Sequence, residues 1–265
     1  MMSELKRPMF SIICATYNRA DLLPRAIDSV LAQSYREWEL IIIDDGSSDG
    51  TSLTVQPYLR DPRVNYIKNE SNNGVGYCRN VGIRNSQAQW VVLLDSDNAL
   101  LPSALECASF RIEKSPQIKM HKFCVRSFEG ADMGGAVKES TIIDHVSFLK
   151  DKFAGEYHSL TQRSCLVKHP FFESVNGGEG IIWKLIAMDI GAVAYHPEFT
   201  QLYDSGGEDR LSVRSKNTRR LKKVYYLDLK YLGRHYAKHS PRKLAITLLK
   251  YIAYSSIRLV KEKWK

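Results

Sequence analysis

Two stretches of sequence decide the fold of this chain: PMFSIICATYNR at residues 8–19 and WELIIIDDGSSDGT at residues 38–51. Each is a short apolar run that ends in polar and acidic residues. Runs that are apolar throughout are typical of strands in a parallel sheet that helices cover on both faces. We therefore predict buried strands at residues 10–15 and 38–43.

The pattern continues outward as an alternation of helices and strands. Helical spacing of apolar residues predicts helices at 21–31, 49–59, 74–85 and 102–114, and short apolar runs predict strands at 63–68 and 90–94. The later sequence predicts strands at 119–126 and 160–168, a loop at 129–138 and a helix at 179–190. This alternation indicates an α/β fold with a Rossmann-like, doubly wound, mostly parallel sheet.

The charge is distributed unevenly along the chain. The 265 residues carry a formal net charge of +9, yet residues 211–265 contain 16 Lys and Arg against 2 Asp and Glu, and residues 1–210 carry −5. Such asymmetry favours an anionic partner for the C-terminal part: a membrane lipid, a lipid-linked phosphate or a nucleic acid. A basic surface that is merely solvated is the alternative. We expect a basic helical extension at 211–265 after a body at 1–210.

The last part of this extension has the spacing of an amphipathic helix. One face carries a basic and aromatic stripe: Lys243, Thr247, Lys250, Tyr254, Arg258, Lys261 and Lys265. The opposite face is apolar: Ala245, Leu248, Leu249, Ile252, Leu259 and Val260. Such a helix can lie in the interface of an anionic membrane, or it can pack on its own domain with its charges in water. The sequence leaves both arrangements open.

Composition and motifs exclude several classes of protein. No apolar run reaches the roughly 18–20 residues that span a bilayer. The five Cys form no C-x-x-C pair, which argues against a disulfide scaffold and a structural zinc site, and their odd number fits a reducing compartment. The sequence lacks the P-loop, G-x-G-x-x-G, H-E-x-x-H and G-x-S-x-G motifs.

Polar residues follow three of the predicted strands, at residues 15–19, 44–47 and 95–98. Because parallel strands end at one edge of a sheet and ligands bind there, we expect these segments to form one site. The site would hold up to four carboxylates, whose mutual repulsion a hard divalent cation, Mg²⁺ or Mn²⁺, would relieve. Asp95 and Asp97 can hold a metal that also bridges phosphates.

These segments resemble the family 2 glycosyltransferases, which have the GT-A fold. The matching segments are 11–19, 40–51, 72–74, 79–82 and 93–97, in order and spacing over roughly residues 8–115. The resemblance implies a nucleotide-sugar-binding half at 1–115 and an acceptor half at 116–210. It also implies a nucleotide-diphosphate sugar as donor, expected to be a UDP-sugar, and Mn²⁺ or Mg²⁺ as cofactor.

The resemblance further assigns roles to individual residues. Those expected around the nucleotide sugar are Ala15, Thr16, Tyr17, Arg19, Asp45, Arg79, Asp95 and Ser96. Tyr17 would face the base, while Asp45 and Arg79 would read its polar edge. Asp95 would contact the ribose or sugar. Asp97, together with Asp95, would hold the metal that stabilises the departing diphosphate.

The resemblance also implies inversion of the anomeric centre, which needs a general base to deprotonate the acceptor hydroxyl. In the family this is often part of a Glu-Asp pair after a Gly-rich turn; here the turn is NGGEG at 176–180, with Gly180 in place of the Asp. We expect Glu179 to be the base, although the helix dipole alone also favours a Glu there. Asp209, in a displaced Glu-Asp pair, is the rival. His196 and His235 are further candidates for metal or phosphate contacts.

The sequence as a whole favours a metal-dependent glycosyltransferase. The Gln-x-x-Arg-Trp signature of processive synthases is absent, so we expect one sugar per encounter, added to a lipid-linked saccharide of a cell-surface polysaccharide. We expect a cytoplasmic protein held at the inner face of the membrane by its basic extension. Two alternatives are a sugar-nucleotide nucleotidyltransferase, disfavoured by the glycine-free loop at 15–19, and a nucleic-acid-binding module, which leaves the carboxylates unexplained. We expect no nucleic acid partner.

Overall fold

The computed structural model describes residues 7–134, 137–153, 155–206 and 218–263, with side-chain environments through residue 256. The strands are β1 (Phe10–Thr16), β2 (Trp38–Asp44), β3 (Val64–Lys68), β4 (Trp90–Asp95), β5 (Ala99–Leu100), β6 (Met120–Ser127), β7 (Thr141–Asp144), β8 (Tyr157–Gln162) and β9 (Ala192–Tyr203). The helices are α1 (Leu23–Leu31), α2 (Thr51–Val55), α3 (Val75–Asn85), α4 (Ala104–Lys114), α5 (His145–Leu149), α6 (Arg163–Lys168), α7 (Glu179–Ile190), α8 (Thr218–His239) and α9 (Pro241–Lys263).

The described strands form one sheet in the order β3-β2-β1-β4-β8-β6-β9-β5, with β7 beside β9. The first four strands are parallel, and Ala15 of β1 lies between Ile43 of β2 and Asp95 of β4. Beyond them, β8 runs antiparallel to both of its neighbours and β9 runs parallel to β6. The expected α/β fold with a mostly parallel sheet is confirmed, and β1, β2 and β4 end at the same edge.

Alternate residues of the central strands pack against helices on opposite faces of the sheet. Ile12 lies in one buried cluster with residues of α1 and α4, whereas Ile13 lies in another with residues of α3 and α7. Gly82 allows α3 to approach closely, because a Cβ there would lie 2.4 Å from Cγ2 of Ile13. Burial on both faces explains why these strands are apolar at nearly every position.

The strand predicted at 160–168 is wrong. β8 ends at Gln162, and the following residues form α6. Arg163 marks the change, because its backbone N–H donates to the Gln89 carbonyl across 2.8 Å and its Nε donates to the Ile83 carbonyl across 3.1 Å. A short apolar run is equally compatible with a strand and with a buried helix, so periodicity alone does not separate them.

Strand β9 was not anticipated from the sequence. Its pairing with β6 is irregular, since Phe123 lies opposite His196 whereas the next residue, Cys124, lies opposite Phe199. Pro197 falls within this irregularity and interrupts the alternation that indicates a strand. Proline is tolerated in a strand at such bulges because it cannot donate a hydrogen bond to the ladder.

The two C-terminal helices pack against the body. Helix α8 contacts α7 through a small apolar cluster in which Leu232 and Tyr236 are fully buried. Helix α9 folds back along α8, and the rings of Tyr225 and Tyr254 stack with centroids 5.6 Å apart. Among the described helices, none combines the length and the hydropathy needed to cross a bilayer.

Helix α9 turns its predicted basic and aromatic stripe toward α8. Thr247 is buried, whereas Leu249 and Ile252 of the opposite, apolar face are 66% and 55% exposed. The helix therefore packs on the body, which is one of the two arrangements that the sequence leaves open. It packs through the basic and aromatic stripe, and its apolar face is exposed. Arg258, Lys261 and Lys265 also belong to the predicted stripe, but their side chains are not among those that the structure describes.

Candidate active site

The carboxyl ends of β1, β2 and β4 open into a cavity of about 630 Å³. The residues expected at the nucleotide sugar, the metal and the acceptor hydroxyl all line it: Ala15, Thr16, Tyr17, Arg19, Asp45, Arg79, Asp95, Ser96, Asp97 and Glu179. The parallel order of the strands thus brings the three sequence segments to one edge. The role of each residue there remains a prediction.

Hydrogen bonds join the loops that follow β1 and β2. Asn18 has φ +51°, a left-handed conformation that Asn tolerates better than most residues. Its N–H donates to Oγ of Ser47, and its Oδ1 accepts from the N–H of Ser48, both across 2.9 Å. The neighbouring ring of Tyr17 is 46% exposed and lines the cavity, so one face is available for stacking.

Asp45 shapes the loop that leads into α3. Its carboxylate accepts hydrogen bonds at 2.7–2.9 Å from Nδ2 of Asn69 and from the backbone N–H groups of Asn73 and Gly74. Gly74 is required there, because its φ is +91° and a Cβ would lie 2.6 Å from Oδ1 of Asn176. Asp45 therefore stabilises this loop. A lone pair of its carboxylate that these bonds leave free could accept a hydrogen bond from a nucleobase.

Arg79 joins the two sides of the cavity. Its Nη2 donates to Oδ1 of Asp95 across 2.9 Å, and its Nη1 donates to Oε1 of Glu179 across 3.1 Å. The Arg79 side chain is only 13% exposed, and its guanidinium lies over the ring of Phe171. The structure thus places Arg79 between two carboxylates, and its expected role at the polar edge of the base, beside Asp45, stays a prediction.

Asp97 lies in a negatively charged environment. Burial and the nearby charges of Asp95 and Asp204 raise its pKa above the ordinary value. Arg25 donates to the Asp97 carbonyl and, across 2.8 Å, to Oδ2 of Asp204, which fixes the end of β9 beside this segment. An ionised carboxylate that is buried among like charges is one that a cation would stabilise.

The position of Glu179 depends on the turn before α7. Gly177 and Gly178 have φ of +101° and +90°, a region that favours glycine. A Cβ on Gly177 would also lie 2.6 Å from Nη2 of Arg220. Glu179 begins the helix after this turn, and its side chain, 35% exposed, reaches the cavity and Arg79.

Several residues that line the cavity were not predicted from the sequence. They include Asn176, Trp183, Asp204 and Arg220. Buried polar atoms of lining residues that have no hydrogen-bond partner among the described residues include Oγ1 of Thr16, Nε2 of His158 and Oε1 of Gln201. Buried polar groups are normally paired, so these atoms indicate a place for ligand or water. Recognition of β8 and β9 from their β-branched and aromatic residues would have placed His158 and Gln201 there.

The expectation that His196 contributes to the site is wrong. Its Nε2 lies 2.9 Å from Nδ1 of His121, and its Nδ1 lies 3.1 Å from Oγ of Ser140, in the interior. Burial lowers the pKa of His121 and of His196 to about 4. His235 lies on α8 and does not line the cavity. Asp209 lies outside the described residues.

Comparison with known sequences identifies relatives of the chain. Residues 11–124 match the model of glycosyl transferase family 2. The GalNAc(5)-diNAcBac-PP-undecaprenol beta-1,3-glucosyltransferase of Campylobacter jejuni is 33% identical over 184 residues, which cover 66% of this chain and 59% of that protein. The succinoglycan biosynthesis protein ExoO of Rhizobium meliloti is 36% identical over 129 residues, which cover 48% and 37%. The chain therefore spans less than two thirds of the length of these curated relatives.

Solved structures share the fold. TarS 1–349 of S. aureus in complex with UDP-GlcNAc matches with a TM-score of 0.70 at 16% identity, over 92% of this chain and 79% of that chain. The mannosyltransferase PcManGT from Pyrobaculum calidifontis, in complex with GDP-Man and Mn²⁺, matches with a TM-score of 0.62 at 16% identity, over 95% and 76%. At these identities the likeness concerns the fold.

Proposed function

Residues 11–124 of this chain belong to glycosyl transferase family 2, and on that premise we propose that the protein transfers one sugar per encounter from a nucleotide-diphosphate sugar to an acceptor hydroxyl. The proposal rests on one observation: Asp95, Asp97 and Glu179 line the same cavity. One carboxylate pair suits a cation on a diphosphate, and a separate carboxylate suits proton removal from an acceptor.

We propose a UDP-sugar as the donor. The exposed ring of Tyr17 would stack on the uracil, and Asp45 with the loop it shapes would border the base edge. Thr16, whose buried hydroxyl lacks a partner among the described residues, would donate or accept a bond to the nucleoside. The complex of TarS with UDP-GlcNAc supports this choice of donor at the level of the fold.

The residues present fit a divalent cation. Burial and the neighbouring carboxylates raise the pKa of Asp97 more than the charge of Arg19 lowers it, so a further positive charge would stabilise its ionised form. Asp97 and Asp95 would hold Mn²⁺ or Mg²⁺ through their carboxylate oxygens, the type of ligand that these hard cations take. In the described ranges no group of three or more His, Cys, Asp or Glu side chains forms a metal site. When bound, the ion would neutralise the negative charge that develops on the departing diphosphate.

Glu179 would act as the general base. The acceptor oxygen would form its bond to C1 of the sugar as the bond from C1 to the diphosphate oxygen breaks, and the hydroxyl proton would pass to the Glu179 carboxylate. Attack from the side opposite the leaving group inverts the anomeric centre. Arg79 donates hydrogen bonds to Asp95 and to Glu179, and it would thereby fix the positions of both carboxylates.

We propose a lipid-linked saccharide of cell-surface polysaccharide synthesis as the acceptor. The undecaprenol-linked substrate in the name of the Campylobacter relative and the succinoglycan in that of the Rhizobium relative support this choice. The acceptor would enter beside α7, where Trp183 offers an apolar wall, so that residues 1–115 bind the donor and 116–210 the acceptor. The exposed apolar face of α9 would hold the protein at the inner face of the membrane.

A screen of nucleotide sugars tests the function. A bound donor raises the unfolding temperature by mass action, and a dependence on Mn²⁺ would report the metal. We expect one UDP-sugar to stabilise the protein in Mn²⁺ and to yield a glycosylated lipid-linked product. Stabilisation by nucleoside triphosphate and sugar phosphate, with release of pyrophosphate, would favour the nucleotidyltransferase alternative.

A further inference from the structure

A second cavity, of about 410 Å³, lies where α7, α8 and α9 meet the residues that follow α5. It is lined by basic residues, two carboxylates and a few neutral side chains: Lys150, Asp151, Lys184, Tyr225, Asp228, Ser240, Arg242, Lys243, Ile246, Thr247 and Lys250. Five of these carry positive charge and two are acidic. The lining therefore has an excess of positive charge.

The interior of this cavity holds two lysines and two carboxylates. Asp151 is shared by both lysines, with Oδ1 lying 3.2 Å from Nζ of Lys184 and Oδ2 contacting Nζ of Lys243. Asp228 accepts a hydrogen bond from the hydroxyl of Tyr236 across 2.9 Å, and burial raises its pKa although the charges of Lys184 and Lys243 act to lower it. The interior charges therefore balance, and the excess of positive charge lies at the rim, on Lys150, Arg242 and Lys250.

The rim adds positive charge without acidic partners. Lys150, Arg242 and Lys250 are exposed, and none has an ion pair with a carboxylate of the described residues. The cavity also contains Ser240, which precedes α9, and Arg242 in the first turn of that helix. The positive end of the α9 dipole therefore lies at the rim and favours an anion there.

The same cavity borders an apolar surface. Ile246 belongs both to the cavity lining and to the exposed face of α9, which continues through Leu249 and Ile252. These three residues are 43%, 66% and 55% exposed. Basic groups beside an exposed apolar helix face match a bilayer surface, where anionic headgroups lie directly above acyl chains.

We propose that this cavity binds the phosphate headgroup of an anionic phospholipid while the apolar face of α9 enters the bilayer interface. The proposal rests on the membrane association put forward above and adds to it a specific headgroup site. Arg242 and Lys250 would contact the phosphate from the rim, and Lys150 would add a third positive charge there. The charge complementarity of the cavity selects an anionic over a zwitterionic lipid.

Vesicle flotation tests the proposal, using phosphatidylcholine vesicles with and without phosphatidylglycerol. The variant R242Q/K250Q removes two rim charges, and K114Q/K119Q removes the same charge from exposed positions on the body. At about 1 kcal/mol per basic residue near an anionic surface, we expect the rim variant to lose about 30-fold in affinity for anionic vesicles. We expect the body variant to bind as the wild type does.

Two further comparisons separate the sources of binding. Leu249→Glu should abolish binding to anionic vesicles, whereas Leu53→Glu, at a residue of α2 that is 79% exposed, should not. Glycerol phosphate, at constant ionic strength, should raise the unfolding temperature of the wild type but not that of R242Q/K250Q. Melting curves of all variants in the absence of ligand identify any that fail to fold.

Several outcomes would overturn the proposal. Equal losses in the rim and body variants would mean that net charge alone attracts the protein. Binding to neutral and anionic vesicles alike would leave α9 as a membrane contact without a headgroup site. Stabilisation by glycerol phosphate without vesicle binding would identify a soluble anion instead. Transfer to a water-soluble acceptor, measured in parallel, distinguishes each of these results from failure of the proposed glycosyltransferase activity.

Discussion

The guanidinium of Arg79 donates to the carboxylate of Glu179 across 3.1 Å, although the two residues are 100 positions apart. The same guanidinium donates to Asp95, on the strand that leads to Asp97. Helix α3 thereby connects the acidic end of β4 to the first turn of α7. We infer that Arg79 is a positioning residue for the candidate base as well as part of the donor side.

Arg79→Lys tests this bridge. A lysine keeps the charge but has one ammonium in place of the planar fork, so it cannot hold both carboxylates in the same geometry. We expect kcat to fall about 10–100-fold, the effect of a misplacement of about 1 Å, with a smaller change in donor affinity. Arg84→Lys is the matched control on the same helix. Arg84 is exposed, and its Nη1 lies 4.0 Å from Oε1 of Glu173, so it pairs with a carboxylate only at long range. Equal effects in the two variants would remove the special role of Arg79.

Asp97→Asn tests the metal. The amide is isosteric but cannot neutralise a cation, so we expect Mn²⁺-dependent transfer and Mn²⁺-dependent stabilisation to disappear. The unliganded variant should be at least as stable as the wild type, because the pKa of Asp97 is raised and its charge is unfavourable in the fold. Transfer at full rate in EDTA, by either protein, would rule out the metal role.

Tyr17→Ala tests the nucleotide end of the cavity. Stacking of a base on an aromatic side chain contributes about 1–3 kcal/mol in single-stranded nucleic acid complexes, and a similar loss is expected here. UDP affinity, measured by calorimetry, should therefore fall about 5–150-fold, while Tyr17→Phe should bind as the wild type does. Unchanged affinity in the alanine variant would show that the ring packs in the structure without touching the base.

The buried pair His121 and His196 predicts a pH dependence of stability. Both pKa values are lowered by burial to about 4, whereas histidine in the unfolded chain titrates near 6.5. The unfolded state therefore binds more protons between these values, and the free energy of unfolding should fall as the pH drops from about 6.5 toward 4, by up to about 1.4 kcal/mol per pH unit for each group.

Urea unfolding at a series of pH values measures this slope. The double variant H121Q/H196Q should show a shallower dependence on pH, whatever its stability at neutral pH. His158, whose pKa is lowered to about 3 by burial and by Lys122, should retain its part of the slope. The same slope in the wild type and the double variant would mean that other groups govern acid unfolding.

The fold of residues 1–115 could be predicted from the sequence because its strands are buried on both faces. Segments such as 10–15 and 38–43 are apolar throughout and end in acidic or polar residues, so strand type, parallel order and the position of the site all follow from one pattern. For this reason Tyr17, Asp45 and Asp97 line one cavity, which Glu179 reaches separately from the first turn of α7.

The fold of residues 116–210 could not be predicted in this way, since its strand pairing is irregular. Pro197 interrupts β9, and with β9 unrecognised the positions of Gln201 and Asp204 at the cavity were lost. The partners of Arg79 were also out of reach, because they come from β4 and α7 and only the closed fold brings them together. Spacing along α9 separated its two faces but did not show which one would meet α8.

The kinetics of Glu179→Gln test the central claim most directly. The substitution preserves size and hydrogen bonding but removes the ability to take a proton, so we expect kcat for transfer to fall roughly 10²–10⁴-fold. Affinity for the UDP-sugar with Mn²⁺ should hardly change, because its proposed contacts come from the loops after β1, β2 and β4 and from Arg79, whose bond to Asp95 the substitution leaves in place. Asp209→Asn, measured alongside, should transfer at close to the wild-type rate. An active Glu179→Gln with an inactive Asp209→Asn would contradict the account and move the catalytic carboxylate to Asp209.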